Sequence, residues 1–353
     1  MMLDLSKIVP KEILTKSGNK TYPLHIAYLG EKVLIANTKN KHSDIWYPRY
    51  ITVPEGTILL WYSWPTGRNQ SQDKNTGLRY NYLVLPRYIP LDQLTMNTLG
   101  LLQAEMTKGN IRKSNLSFTN SEPSLINVVM KFFNRLGIKH LDWSWSITSN
   151  FKLKRIENQS ETSDREIQAK SYWLQYTDVN SSKIRNKPFQ YTGNKHCENR
   201  WVKTMKLGSL RIDHSNIILY LIVRKMLDDI ETLLHNQSTI IHYLQGVFAG
   251  EASVKPTKYE SLDNVDVGAV FLKDQKFYAT CLLKLDIHSS FEKNCIRIHN
   301  MENFLKIHKY NLLELHPLRQ AKFLHHLSRY KQIPQRLKAS YSSFKEEVKD
   351  VIC

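Results

Sequence analysis

The chain contains two similar stretches, LGLLQAEM at residues 99–106 and LQGVFAGEA at residues 244–252. Each is an apolar segment with small residues four positions apart and a glutamate near its end, a pattern that predicts a helix. The matched positions are Gly100 with Gly246, Ala104 with Gly250, and Glu105 with Glu251. Small residues on one side of a helix let a second backbone approach closer than the usual 8 to 10 Å. We therefore predict that the two helices pack together and bring both glutamates to the same end of their interface.

The repeat continues downstream of both glutamates. A second helical segment follows each one, ending in FFNRLGI at residues 132–138 and in CLLKLDI at residues 281–287. A short strand with an arginine in its middle comes next, SLRIDHSN at 209–216 and CIRIHN at 295–300. The first copy is the longer because it carries an insertion near residues 150–205. That insertion is polar, basic and punctuated by aromatic residues, which is typical of long β-hairpins with a solvated face.

The pattern of apolar runs, turn residues and helical periodicity along the chain predicts an α+β protein of several structural units. Residues 1–90 contain short apolar and aromatic runs separated by Gly, Pro, Asn and Asp, the pattern of strands joined by turns. Longer segments of helical periodicity follow. We predict a β-rich N-terminal domain over 1–90, a first repeat unit over 91–237, a second over 238–330 and a basic helical tail over 331–353.

The composition indicates a polyanionic partner. The 353 residues include 50 Lys plus Arg against 32 Asp plus Glu, a formal net charge of +18. Such a surplus favours nucleic acid first and an anionic membrane surface second. No run approaches the roughly 20 apolar residues of a membrane span, and the N-terminus does not resemble a signal peptide. The four cysteines include no CxxC pair, so no zinc framework is predicted, and we expect a reducing cytoplasmic location.

The two glutamates are costly where they are predicted to lie. A carboxylate near a helix C-terminus meets the negative end of the helix dipole, and two neighbouring carboxylates repel each other. Divalent cations remove this conflict, because Mg²⁺ takes hard oxygen ligands together with phosphate oxygens. The chemistry suggested is metal-assisted phosphodiester hydrolysis. The structural alternative is an ordinary close helix pair ending in Glu; the repeat and the basic charge favour the metal site.

These residues carry a family resemblance. YLQGVFAGEASV at 243–254 resembles the second motif of the single-chain LAGLIDADG homing endonucleases, and LGLLQAEMTKG at 99–109 resembles the first motif of archaeal members. SFTNSEPSLINVVMKFFNRLGI at 117–138 is similar to the strand and helix after the first motif. NFLKIHKYNLLELHPLRQAKFLHHL at 303–327 is similar to the terminal helices of the second half. The resemblance covers roughly residues 91–327.

The resemblance implies a fold, an activity and a set of site residues. It implies two pseudo-symmetric αββαββα halves, each laying an antiparallel sheet across DNA, and Mg²⁺-dependent double-strand cleavage at a long site. The last acid of each motif, Glu105 and Glu251, would hold the metal. Met106 and Ala252 follow them, where the family pattern has Gly, and we include both positions in the metal site. The candidates for the basic and polar pocket residues are Lys206 or Arg211 in the first half and His316, Arg319 and Lys322 in the second.

DNA contacts are predicted on the sheets, where alternating polar side chains can enter the major groove while Lys and Arg hold phosphates. The candidates are Ser117, Thr119, Lys152, Lys154, Gln175, Lys183, Arg185, Arg211, Lys255, Lys258, Lys276, Arg297 and Lys322. Trp143 and Trp145 lie in the same segments, but we expect aromatic residues there to pack within the sheet. Residues 1–90 extend the DNA footprint or cap the fold.

The leading prediction is a monomeric, site-specific DNA endonuclease encoded within an intron and acting on double-stranded DNA. A prokaryotic or archaeal cytoplasm is expected, with an organelle as the other location. The alternatives are a catalytically lapsed LAGLIDADG regulator that binds DNA, and a maturase that binds intron RNA. Intact Glu105 and Glu251 favour the enzyme, because a pure binding protein has no need of two crowded carboxylates.

Overall fold

The computed structural model describes residues 1–14, 20–39, 46–65, 78–106, 115–149, 159–178, 184–188 and 208–349. Within these ranges the protein is α+β, as the sequence predicts: short strands come first, and helices alternate with two four-stranded sheets after residue 90. None of the helices in this part of the chain is long and apolar enough to cross a bilayer.

The N-terminal region consists of short strands. They are β1 Met2–Asp4, β2 Glu12–Leu14, β3 Thr21–Pro23, β4 His25–Ala27, β5 Lys32–Lys39, β6 Trp46–Thr52, β7 Thr57–Pro65, β8 Leu78–Pro86 and β9 Tyr88–Pro90. β4, β7 and β8 form one sheet, and β1 pairs with β9, β2 with β3, and β5 with β6. Alternation along β7 sends Leu60 into the main core and Leu59 into a small cluster with Val33. The N-terminal strands thus pack on two sides.

The helices of the remaining chain surround one central pair. They are α1 Gln93–Glu105, α2 Pro123–Arg135, α3 Gln159–Tyr176, α4 Ile217–Asp228, α5 Ile230–Leu233, α6 Gln237–Glu251, α7 Leu272–Leu283, α8 Met301–Lys309, α9 Pro317–Leu327 and α10 Lys338–Glu347. α1 and α6 are buried on nearly every side, as expected of helices at the centre of a core. Each begins at a side-chain cap: the Thr95 amide donates to Asp92 at 3.1 Å, and the Thr239 amide donates to Asn236 at 2.9 Å.

Two sheets lie beyond the helix pair. Their strands are β10 Leu116–Asn120, β11 Ser144–Ser149, β12 Ile184–Pro188, β13 Ser209–His214, β14 Ala252–Pro256, β15 Leu262–Gly268, β16 Ser289–Glu292 and β17 Cys295–Ile298. The first sheet has the order β10-β13-β11-β12 and the second the order β14-β15-β17-β16. β11 and β12 run parallel, and the other described pairs are antiparallel. β13 and β17, which hold the repeated strand motif, each lie between two antiparallel neighbours.

The repeated helix endings have a structural reason. α2 is followed by Gly137 and α7 by Asp286, both left-handed, with φ of 82° and 59°. In both, the amide of the next isoleucine donates to the carbonyl five residues back, at 2.9 and 3.0 Å, which closes the helix in the Schellman manner. Asp is among the few residues other than Gly that tolerate this conformation. Lys306 supports it by donating to the Asp286 carbonyl at 2.8 Å and to its carboxylate at 2.7 Å.

The insertion differs from the predicted hairpins. Most of its described part is the helix α3, and β12 follows as a single strand paired with β11. Residues 159–176 contain no Gly or Pro, and Ala169 and Trp173, four positions apart, are both buried. This helical spacing outweighs the high polarity, so the hairpin prediction is wrong over α3. Residues 150–158, 179–183 and 189–205 of the insertion lie outside the described ranges.

The last helices of the described chain join the same core. α10 buries Tyr341 and Phe344, and His308 of α8 contacts the Glu347 carboxylate at 2.9 Å. The main core also includes Leu5 and Ile58 from the N-terminal strands. Apolar burial therefore connects both ends of the described chain with α1 and α6.

Candidate active site

The α1 and α6 backbones are in direct contact at their glycines. A Cβ atom added to Gly100 would overlap the Tyr243 carbonyl oxygen and lie 2.9 Å from the Val247 amide nitrogen. A Cβ added to Gly246 would overlap the Asn97 carbonyl oxygen. Real Cβ atoms do not approach backbone this closely, so only Gly is compatible with the crossing.

The small residues continue to the end of the pair, where the two acids lie. A Cβ on Gly250 would be 2.6 Å from the Ala104 Cβ and 3.2 Å from Cγ of Glu105. A Cβ on Gly268, at the end of β15, would overlap Oε2 of Glu251 and lie 3.2 Å from its Cδ. The two glutamates thus occupy spaces that glycines leave open.

Burial and mutual repulsion make the acid pair unusual. Burial, and next the charge of Glu251, raise the pKa of Glu105 from its ordinary 4.5 to about 7, while Arg319 opposes the shift. The Asn120 side chain lies within 3.5 Å of Oε1 of Glu105. Desolvation of two nearby carboxylates is a condition found at metal and catalytic sites.

Arg319 offsets the charge of the acids. Its Nη1 donates to the carbonyl oxygens of Phe248 at 2.9 Å and Ala249 at 2.5 Å, in the last turn of α6. Burial lowers the pKa of Arg319, and the charges of Glu105 and Glu251 raise it. A cation on the last carbonyls of a helix stabilises its negative end. This arrangement reduces the cost of ending two packed helices in carboxylates.

The other predicted pocket residues have separate places. His316 is the N-cap of α9 and its Nδ1 accepts the Arg319 amide at 3.4 Å; burial and the Arg319 charge lower its pKa to about 4. Lys322 donates to the Val254 carbonyl at 2.7 Å. Met106 and Ala252 are buried, and both have extended backbones where the helices end. Lys206 lies outside the described residues.

Replacing Arg319 with Met should destabilise the fold when both acids are charged. The carbonyls of α6 would lose their donor, and the two half-buried carboxylates would lose the favourable charge of Arg319, at a cost of about 2 kcal/mol near pH 8. Chemical denaturation at pH 8 measures this. The loss should shrink near pH 5, where Glu105 is protonated. An equal loss at both values would contradict a charge role for Arg319.

The raised pKa of Glu105 predicts that stability falls with rising pH. The folded state holds this proton more tightly than the unfolded chain, so its contribution is complete below about pH 4.5 and is lost as pH rises through about 7. The loss should reach at most about 3 kcal/mol. His316 acts in the opposite direction, because its lowered pKa costs stability as pH falls from 6.5 toward 4.

Denaturation curves of the wild type and of Glu105→Gln, measured between pH 5 and 8, isolate the Glu105 contribution from that of His316. The wild type should lose more stability over this range than the variant. Parallel pH profiles for the two proteins would contradict the raised pKa.

Both sheets have one apolar and one polar face. In β13, Leu210 and Ile212 are buried, whereas Arg211 and Asp213 are partly exposed on the other face. Thr119 is the cross-strand partner of Arg211, and Ser117 is that of Asp213. In the second sheet Arg297 lies opposite Asp266, and Lys255 lies on the edge strand β14. The predicted DNA-contact residues Ser117, Thr119, Arg211, Lys255 and Arg297 therefore lie on polar faces.

The remaining DNA-contact candidates lie elsewhere. Lys258 is in the exposed turn after β14, with its Nζ over the Tyr259 ring. Lys276 and Gln175 are exposed on α7 and α3, helices that pack against the sheets. Trp143 and Trp145 are buried, as expected of packing residues. Lys152, Lys154 and Lys183 lie outside the described residues, as does the side chain of Arg185.

Four residues of the site region are absent from the sequence predictions. They are Asn120, Asp213, Asp266 and Gly268. Alternation in SLRIDH and LDNVDVG places Asp213 and Asp266 on the polar faces, so the strand period could have identified both. No local signal marks Asn120 or Gly268, because their relation to the acids arises from contacts between distant segments.

The acid pair suits a hard divalent cation. Among the described residues no group of three or more His, Cys, Asp or Glu could enclose a metal ion. Two neighbouring carboxylates do match Mg²⁺, which binds few protein oxygens and completes its shell with water and phosphate oxygens. Glu105 and Glu251 would hold it.

Comparisons with known proteins give distant structural matches. No protein-family model matches the chain, and no curated protein matches it. A variant of I-DmoI in complex with its target DNA in the presence of Mg is 11% identical over 63% of this chain and 97% of that chain, with a TM-score of 0.30. The N-terminal LAGLIDADG domain of WhiA is 9% identical over 64% and 83%, with a TM-score of 0.31.

The chain is similar to LAGLIDADG proteins. Mesophilic variants of the homing endonuclease I-DmoI give the same level of likeness, 11% identity over 64% of this chain and 94% of that chain at a TM-score of 0.30. The sequence motifs predict this similarity. A TM-score of this size carries no functional inference.

Proposed function

We propose that this protein is a site-specific, Mg²⁺-dependent DNA endonuclease that cuts both strands of a long duplex site. The observation that carries the proposal is the placement of Glu105 and Glu251. Two packed helices end in carboxylates at the same end of their interface, burial and repulsion raise the pKa of Glu105 to about 7, and glycines leave space for both side chains. A chain selected for stability alone would avoid this arrangement.

The surrounding architecture supports a duplex substrate. The polar faces of the two sheets carry Arg211 in β13 and Arg297 in β17. Each of these strands lies between two antiparallel neighbours. We infer two pseudo-symmetric halves over residues 91–237 and 238–330, related across the α1 and α6 pair, with residues 1–90 as an additional domain. Two polar sheet faces on one monomer suit the two halves of a long duplex site.

The residues of the chain have distinct tasks in this proposal. Mg²⁺, when bound, would supply Lewis-acid stabilisation of the phosphoryl oxygens and lower the pKa of water. Glu105 and Glu251 bind the cation, and Gly250 and Gly268 leave room for their carboxylates. Arg319 keeps the end of α6 from repelling the substrate phosphates, because it places a positive charge beside two negative ones. The net charge of +18 attracts the duplex.

The direct test is incubation of the protein with a library of DNA duplexes, with and without Mg²⁺. Sequencing of the cut ends should reveal one preferred site broken on both strands, and only with the cation. Binding of that site should weaken with salt by a slope of about 0.9 log unit for each phosphate neutralised. Absence of any cut sequence, although Glu105→Gln binds duplex as well as the wild type, would refute the enzyme.

The position of Arg319 favours a second candidate, a DNA-binding protein that does not cleave. An arginine near both carboxylates, bonded to the end of α6, supplies a positive charge without a metal. Such a protein would bind its duplex equally well with and without Mg²⁺. A cleavage product in the library experiment would exclude it. Preference for folded intron RNA over duplex DNA would instead indicate a maturase.

A further inference from the structure

The polar face of the first sheet contains an arginine held by an aspartate. Nε of Arg211 donates to both carboxylate oxygens of Asp213, at 2.9 Å each, and its Nη2 donates to the Ser117 hydroxyl at 2.9 Å. The Ser117 hydroxyl in turn donates to Asp213. The guanidinium is fixed along one edge, while its Nη1 has no acceptor among the described residues.

The second sheet also contains an arginine held by an aspartate, but here the two residues lie on neighbouring strands. Asp266 is nearly buried, with its side chain 7% exposed. It accepts Nε of Arg297 at 2.7 Å, Nη2 of Arg297 at 3.1 Å and Nζ of Lys255 from the neighbouring strand. Burial alone would raise the pKa of Asp266, but these donors lower it and keep the carboxylate charged. Glu292 adds a longer contact of 3.3 Å to Nη1 of Arg297.

These acids are unexpected on a surface that meets a polyanion. The formal charges of Arg211 and Asp213 cancel. Those of the second group also cancel, because it contains two cations, Lys255 and Arg297, and two acids, Asp266 and Glu292. The whole chain, by contrast, carries +18. A neutralised arginine gains little from a phosphate, and the aspartate beside it repels the phosphate. A fixed guanidinium plane is well suited to a base edge, because paired contacts to guanine O6 and N7 require a defined orientation.

We propose that Asp213 and Asp266 are specificity-determining residues of the DNA surface: each orients one arginine toward a guanine edge and disfavours a phosphate at the same place. This inference rests on the proposed function. It assigns a task to two acids that touch neither the metal site nor the helix interface. Each sheet would then read at least one guanine, one in each half of the target.

The experiment uses the full chain without cleavage, with Ca²⁺ in place of Mg²⁺, and selects bound duplexes from a randomised library. The wild type, Asp213→Asn and Asp266→Asn are compared, and affinity for random-sequence duplex is titrated against KCl. The matched control is Asp263→Asn, which removes an exposed carboxylate from the same strand, β15, as Asp266. Thermal unfolding verifies that each variant folds.

Asp266→Asn should bind random duplex severalfold more tightly, with a salt slope steeper by about 0.9. Its preference for guanine at one position should fall by about tenfold or more. Asp213→Asn should lose a guanine preference in the other half of the site, and Asp263→Asn should lose none. Arg297→Lys keeps the positive charge but lacks the planar guanidinium group. It should lose the same guanine preference as Asp266→Asn, without a change in the salt slope.

Unchanged sequence preferences in both aspartate variants, beside a wild type that selects a clear target, would overturn this inference and leave the proposed function intact. A uniform loss of affinity at all sequences would also overturn it, because it would indicate a purely structural role. A wild type that selects no duplex would refute the proposed function itself.

Discussion

Glu251→Gln is expected to reduce DNA cleavage by about a thousandfold or more, equivalent to roughly 4 kcal/mol of transition-state stabilisation. The amide keeps the shape of the side chain and the space left by Gly268, but it supplies a neutral oxygen where the cation needs a charged one. Glu105→Gln should have a similar effect. Single-turnover cleavage of the selected duplex measures both.

DNA binding should survive these substitutions. Removing one of two repelling carboxylates relieves a cost in the folded state, so both variants should be at least as stable as the wild type near pH 8. The control is Glu314→Gln, because Glu314 is also partly buried, with a raised pKa, but contacts Gln93 at the opposite end of α1. It should cleave normally. Full cleavage by either Glu105→Gln or Glu251→Gln would show that the acid pair is not the catalytic centre.

Gly246→Ala is expected to cost about 4 kcal/mol or more of folding free energy, or to prevent folding. Its Cβ would overlap the Asn97 carbonyl oxygen and lie 2.8 Å from the Leu101 amide nitrogen, so α1 and α6 would have to move apart. Gly100→Ala should be similar. Urea unfolding, with comparison of midpoints at constant slope, measures the change.

A loss of stability in Gly246→Ala would be opposite in sign to the effect of the same substitution on an exposed helix. In an exposed helix, Gly→Ala stabilises by about 1 kcal/mol, because Ala restricts the unfolded chain and favours the helix. Gly250→Ala provides a graded comparison, since its Cβ would lie 2.6 Å from the Ala104 Cβ, whereas the nearest backbone atom of α1, the Ala104 Cα, is at an ordinary contact distance of 3.9 Å. It should destabilise less than Gly246→Ala. A Gly246→Ala variant as stable as the wild type would contradict the close crossing of the helices.

Much of the fold could be predicted from local patterns. Helices form where they are predicted: α1 and α6 hold the two motifs, and α2 and α7 lead into the repeated endings. The repeated strand motif forms β13 and β17. The hairpin prediction for the insertion is wrong because polarity is a weaker signal than spacing: the Ala169 and Trp173 pair shows that two apolar residues suffice to anchor a long polar helix. The similar sequences of the two helix endings have a common cause in the positive φ of Gly137 and Asp286.

The site, too, could be predicted only in part from the sequence. Glu105 and Glu251 could be selected from sequence because two copies of one pattern placed an acid at the same helical position. Arg319, His316 and Lys322 are all predicted from one segment, yet their contacts differ. Arg319 donates to the end of α6, His316 caps α9, and Lys322 donates to a carbonyl of β14. Sequence spacing does not separate these roles, because each depends on where α9 crosses α6 and β14.

Residue period and composition are enough to predict the pairing of two glycine-lined helices, the acid at the end of each and the basic charge around them. The groups that compensate for the acids and orient the arginines are visible only in the folded chain. Arg319 reaches the end of α6 from a distant helix, and Asp266 binds Arg297 across a strand pair. Long-range contacts of this kind depend on how elements cross, and local patterns along the chain do not encode that geometry.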